Sequence, residues 1–349
     1  MTRITLKTGK LNFAGQFRLD SRVIQRGDAK TGRPKMVGAS SLETGDRVVV
    51  KQWRRDASTV DTALREIWRQ EIRHLHRIAG CPGARDTIVP LLDSGQTEDS
   101  FYLILATGQR VPLQAFLNDV LDHHPLKGFR DSRNRILIWR NLERIVTGLD
   151  VLHSQGVIHR NLDRFSIFTA GDSEPDFLLS GFEWSVRISS VAKGTTTSHP
   201  GQHGESFAFS FLEDWRHFGL LAKDLVAPNW DVETSKSGGR DGGSHLLGSE
   251  RDLIRLLLRA EPTSRLDGQF VRQRIDDVVS ALSTANAGTG GVLHITFSLS
   301  HTSDLRRAVL AAGEDSIDPS DFESLFDFIK RDISEHPKLV QHPAITFNN

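Results

Sequence analysis

Before residue 107 the chain is patterned for strands with one helix among them; after it the pattern is almost wholly helical. That order bounds the fold class, although many α+β proteins share it. Arg47-Val48-Val49-Val50-Lys51 is a compact β-branched run entered from the turn-forming Glu43-Thr44-Gly45-Asp46, and such runs suit a pleated, half-buried surface. From about Ser58 to Ile78, apolar residues fall at Val60, Ala63, Leu64, Ile67, Ile72, Leu75 and Ile78, a spacing that predicts an amphipathic helix. Ile88–Leu92 and Phe101–Leu105 predict two strands around a turn at Asp93-Ser94-Gly95. Leu113 to Gln155 reads as helical, most clearly from Arg135 to His153, and so does Leu212 to Leu282. Strands first and helices later predict an α+β class.

Two soft segments divide the second half. Ser235–Ser244 is rich in Gly and Ser, and residues 283–291 (STANAGTGG) read as a linker. Beyond it the pattern restarts with a strand at Val292–Leu299 and helices near Ser303–Gly313 and Pro319–Glu335. The expected organisation is a domain over 15–282, a linker over 283–291 and a small α/β appendage over 292–349. Lys plus Arg equals Asp plus Glu at 44 each, so no overall basic balance points to nucleic acid. Cys81 is the sole cysteine, which forbids an intrachain disulfide and suggests a reducing, cytoplasmic setting. No apolar run has the length of a bilayer span, and the first residues lack the apolar core of a signal peptide. No membrane association is expected.

The most specific stretch is Gly148 to Ser166, GLDVLHSQGVIHRNLDRFS. It resembles the catalytic loop of eukaryotic-type protein kinases and the helix end before it. That loop reads His-Arg-Asp-Leu-Lys-x-x-Asn, and its Asp accepts the proton of the substrate hydroxyl. Here the Asp is replaced by Asn161, the Lys by Asp163 and the metal-binding Asn by Ser166. An amide cannot take that proton at neutral pH. Leu178-Leu179-Ser180-Gly181-Phe182-Glu183 is similar to the strand and Asp-Phe-Gly of the same family, with Phe182 retained, Gly181 in place of the metal-binding Asp, and Glu183 in place of the Gly. Glycine offers a hard cation no side-chain oxygen.

The resemblance extends over about 15–282. It implies a two-lobed kinase-like fold, with a β-rich lobe over about 15–107 and a helical lobe over about 108–282. It makes Lys51 the phosphate-facing lysine and Glu71 its helix partner, with Glu66 a competing partner. The glycine-rich loop is represented by Val23–Val37, which has only Gly27 and Gly32, includes Pro34, and carries Lys30, Arg33 and Lys35. Leu105, Ala106 and Thr107 fall where an adenine would meet the backbone. His159, Arg160, Phe182, Asp214 and Arg265 fall on structural anchors, with Asp214 expected to hold the backbone of the loop. No Ala-Pro-Glu is found between Ser185 and Leu212.

Framework positions are kept while the base and both metal ligands are lost. The resemblance therefore implies a pseudokinase, a regulatory or scaffolding domain that acts on another protein or another domain of a larger chain. ATP is its expected ligand, bound weakly or without metal; magnesium is not expected. The alternative is a divergent ATP-dependent transferase that uses Asp163 and Glu183, with Asp172 nearby, as rearranged carboxylates.

Overall fold

The structure, a computed structural model, describes residues 17–28, 32–55, 60–187, 210–232, 243, 245–261, 264 and 266–288. The class is α+β. Five strands form one antiparallel sheet: β1 (Phe17–Gln25), β2 (Lys35–Ser41), β3 (Arg47–Arg54), β4 (Leu91–Gln96) and β5 (Ser100–Leu105), in the order β1-β2-β3-β5-β4. The central β3 pairs Lys51 with Met36 on one side and with Leu103 on the other.

Alternation along β3 sorts its side chains. Val48 and Val50 join Phe17, Ala39, Tyr102 and Ile104 in a small cluster. Val49 and Trp53 belong to the main core, as do Leu64, Ile67, Leu75 and Ile78 of helix α1 (Val60–Ile78). Lys51 lies between Val49 and Trp53, so it shares their face and is sent toward α1. The buried positions of α1 run 64, 67, 71, 74, 75 and 78. Glu71 thus occupies a core position of an amphipathic helix, one that periodicity would fill with an aliphatic residue.

One expectation about this sheet is corrected. Asp93-Ser94-Gly95 does not turn; it lies within β4. The reversal comes at residues 97–99, where the Thr97 hydroxyl accepts from the amides of Asp99 and Ser100. Gly95 is required inside the strand because a Cβ there would collide with the Tyr102 ring.

Short strands follow the sheet: β6 (Val111–Pro112), β7 (Val157–Ile158), β8 (Ile167–Thr169), β9 (Leu178–Leu179) and β10 (Val186–Arg187). They pair as β6-β8-β9 and as β7-β10. The helices are α2 (Ala84–Thr87), α3 (Leu113–Asp119), α4 (Ser132–Ser154), α5 (Phe211–Val226), α6 (Gly248–Leu258) and α7 (Gly268–Gly288). The helical reading of 113–155 breaks between α3 and α4. Lys127 donates to the Val120 carbonyl just past α3, and the Asp131 carboxylate caps the start of α4. Helix α7 continues through Gly288, so the first residues of the stretch read as a linker are helical.

The helical part packs Trp139, Leu142, Ile145 and Leu149 of α4 into one core with Trp215 and Phe218 of α5 and Leu253 and Ile254 of α6. Arg135 and Glu250 are buried in it as a 2.9 Å ion pair, and the Trp139 indole also donates to Glu250. The chain divides into two compact units, Met1–Ser283 and Thr284–Asn349, and only the end of α7 is described for the second. Arg265, residues 292–349 and most of 185–212 and 235–244 lie outside the described residues. Among the described residues no helix is long and apolar enough to cross a membrane.

Candidate functional site

The centre of the site is Lys51. Its Nζ lies 2.6 Å from Glu71 Oε1 and 2.5 Å from Glu183 Oε1. Lys51 and Glu71 are 0% exposed and Glu183 is 5% exposed. The ammonium also stands 5.5 Å from the centroid of the Trp53 ring, a favourable contact for a cation. Burial alone would lower the Lys51 pKa, but the two carboxylates outweigh it and hold the pKa above its ordinary value. Glu71 is raised as well: burial and the charge of Glu183 lift its carboxyl to about 7 against the attraction of Lys51. Two carboxylates thus share one buried cation. The competing Glu66 pairs with Arg73 at 3.0 Å on the surface instead.

Glu183 reaches Lys51 because of the backbone before it. Gly181 has φ +84° and ψ 42° and opens a 3-10 turn over Phe182–Trp184 whose side chains are all buried. The left-handed residue reverses the chain sharply, which an L side chain would resist. Phe182 stacks edge-on against His159, with centroids 5.2 Å apart.

Asp214 anchors the loop that contains Asn161. Its carboxylate accepts from the amides of His159 and Arg160, each at 2.8 Å, and from His153 Nε2 at 2.8 Å. The group is wholly buried; burial would raise its pKa, but His153, His159 and the Arg160 amide hold it below the usual value. Arg160 has φ +66°, a left-handed residue held in place by that amide bond. His159 Nε2 faces the Ser180 carbonyl at 2.8 Å, while its Nδ1 accepts from the Asn161 amide. Burial, outweighing Asp214, lowers its pKa, so the ring is neutral.

Asp163 and Ser166 brace each other. Asp163 Oδ1 accepts from the amides of Phe165 and Ser166, and the Ser166 hydroxyl bridges the Asp163 backbone. Burial raises the Asp163 pKa, against those amides and Arg33. Arg33 lies 4.7 Å over the Phe165 ring.

Asn161, Asp163, Ser166, Gly181 and Glu183 line one cavity of about 160 Å³ with Gln25, Arg33, Pro34, Met36 and Trp184. Its roof is the segment after β1. The Trp53 indole donates to the Gly32 carbonyl at 2.9 Å, and a Cβ on Gly32 would meet Ile67 and Trp184 at 2.9 Å. Gly32 is therefore packed closely against α1 and the turn after Gly181. Lys30 lies outside the described residues.

Leu105, Ala106 and Thr107 are not brought to this cavity. The Ala106 amide donates to the Pro90 carbonyl and the Thr107 amide to the Leu105 carbonyl, so both donors offered to an adenine are already used. The described arrangement does not fit a nucleotide: its lysine is enclosed, its backbone donors are taken, and the cavity is about half the smallest ordinary ligand pocket of about 300 Å³. Nor do Asp163 and Glu183 form a cation site. One braces its own loop and the other holds Lys51. Among the described residues no cluster of three His, Cys, Asp or Glu is arranged for a metal ion.

Sequence reasoning missed three contributors. His153 on Asp214 and the Gly32–Trp53–Trp184 roof have no local signature. Glu183 on Lys51 had none either, since it depends on the positive φ at Gly181. No model of a known protein family matches this chain. A comparison with curated proteins likewise gives no match.

Proposed function

We propose that residues 15–282 form a kinase-like, two-lobed domain that does not transfer phosphate and works as a regulatory or interaction module. One observation carries the reading: the lysine that would meet the phosphates is fully buried between Glu71 and Glu183. Three positions around it support the same conclusion. Asn161 cannot act as a base, Ser166 is turned into its own loop, and Gly181 has no side-chain oxygen to offer. Loss of a general base alone costs about two to four orders of magnitude in rate. The parts that shape a loop and fix a helix are meanwhile well built: Asp214 holds the backbone of the loop, and Lys51 and Glu71 tie α1 to the sheet.

On this reading the domain acts on another protein, or on another domain of a longer chain, in a cytoplasmic setting. ATP binds weakly if at all and without magnesium. Phosphotransfer is tested with labelled ATP, divalent metals and generic protein substrates, where no transfer is expected. Metal-dependent labelling abolished by Asp163→Ala would favour the transferase with rearranged carboxylates. Calorimetric titration of ATP into the wild type and Lys51→Met completes the test. Tight magnesium-dependent binding by the wild type alone would overturn the non-catalytic reading.

A further inference from the structure

The buried centre is one positive charge short. Lys51 faces two carboxylates at 2.6 and 2.5 Å, and none of the three is more than 5% exposed. With all three ionised the cluster carries a net negative charge, and an uncompensated buried charge is unfavourable. Among the described residues the neighbours do not supply the missing cation. On α1, His74 is depressed to about 4 by burial and by Arg77 and Arg73, so it stays neutral above pH 5. From the loop, His159 is neutral and Asp163 adds a further acid; from the segment after β1, Arg33 faces Asp163. From β10, Arg187 is exposed. The remaining remedy is a proton on the carboxylate pair.

We propose that Glu71, Lys51 and Glu183 form a proton-dependent latch: docking of α1 against β3 and the Phe182–Trp184 turn takes up one proton, and loss of that proton loosens α1. Two polar contacts join α1 to its neighbours. Glu71 joins it to β3 through Lys51, and Gln70 joins it to the Ser185 carbonyl beyond the turn. When α1 is displaced both carboxylates regain water and need no proton, so the docked form is favoured at low pH. The pKa of Glu71, near 7, sets the range in which this operates. The inference starts from the geometry of the cluster and stands apart from the kinase-like reading.

Amide hydrogen exchange of the full chain between pH 5.5 and 8.5, corrected for intrinsic rates, tests the latch. One linked proton changes the docking constant about tenfold per pH unit between the pKa of the displaced carboxyl and that of the docked one, and no further above the latter. Protection of residues 64–78 should therefore fall about tenfold or more across the range, while protection of α4 holds. In Glu183→Gln the cluster is neutral without a proton, so the fall should shrink to about twofold or less. Glu71→Gln, with the same charge balance, should behave alike and serves if the first variant folds poorly. Asp163→Asn should keep the wild-type dependence. A flat wild-type profile, an undiminished dependence in both Gln variants, or a parallel loss in α4 would overturn the proposal.

Discussion

A Cβ on Gly181 would stand 2.7 Å from the Cβ of Ser166 and 3.2 Å from its Cα. These are the two positions where the resemblance expects metal ligands, and here one leaves room for the other. Restoring a single ligand therefore meets a backbone that no longer admits it.

Gly181→Asp should destabilise the protein without creating a magnesium site. An L residue at φ +84° costs about 1–2 kcal/mol, and the overlap with Ser166 adds to it. A fall in melting temperature of several degrees is expected, and the melting temperature should not recover on adding magnesium. A magnesium-dependent rise would contradict this account.

Asp214→Ala removes the acceptor of two backbone amides and of His153. Each orphaned buried donor costs about 1–3 kcal/mol, so a loss of at least about 2 kcal/mol is expected by urea denaturation. Asp214→Asn, which keeps one oxygen, should lose less. Because the folded-state pKa of Asp214 is depressed, its contribution is present above the unfolded value and is lost as pH falls through the folded one. The loss of that contribution is thus confined to acid solution.

Glu71 acts in the opposite sense. Its folded pKa of about 7 lies above the reference of 4.5, so the native state holds the extra proton between these values. That stabilisation is full below pH 4.5 and is lost as pH rises to 7, by an amount of order 3 kcal/mol. Denaturant midpoints at pH 5 and pH 8 should differ in the wild type and differ less in Glu183→Gln. A wild-type midpoint higher at pH 8 would be the wrong sign.

Glu250→Ala should cost about 3–5 kcal/mol, because Arg135 is left buried without its partner. The double change Arg135→Met, Glu250→Met removes both charges and should lose considerably less. Equal losses in the single and double variants would show that the pair contributes through shape alone.

Strands and helices were legible where pattern is local. The β-branched run at Val48–Val50 and the spacing through α1 lead directly to β3 and to the helix against it. The reversal after β4 was misplaced because Asp93-Ser94-Gly95 has turn composition, whereas Thr97 supplies the turn through its hydroxyl. Within the site, Lys51 and Glu71 could be matched because each has a recognisable neighbourhood in sequence. Glu183 could not be assigned to Lys51, because that contact joins residues 132 apart through a glycine with positive φ. Seating of Gly32 on Trp184 was hidden for the same reason: a loop's tertiary contacts leave no period in its sequence.

The three bonds to Asp214 join residues 54, 55 and 61 apart in the chain. By contrast, the β2–β3 and β4–β5 hairpins join neighbours in sequence. Closing a long loop costs more chain entropy than closing a hairpin, and contacts of high sequence separation slow folding. The hairpins therefore assemble without help from the rest, whereas the left-handed turn at Arg160 waits for α5 to bring up its carboxylate. In folding-kinetic terms the loop with Asn161 is a late product of the pathway, and substitutions at Asp214 should speed unfolding far more than they slow refolding.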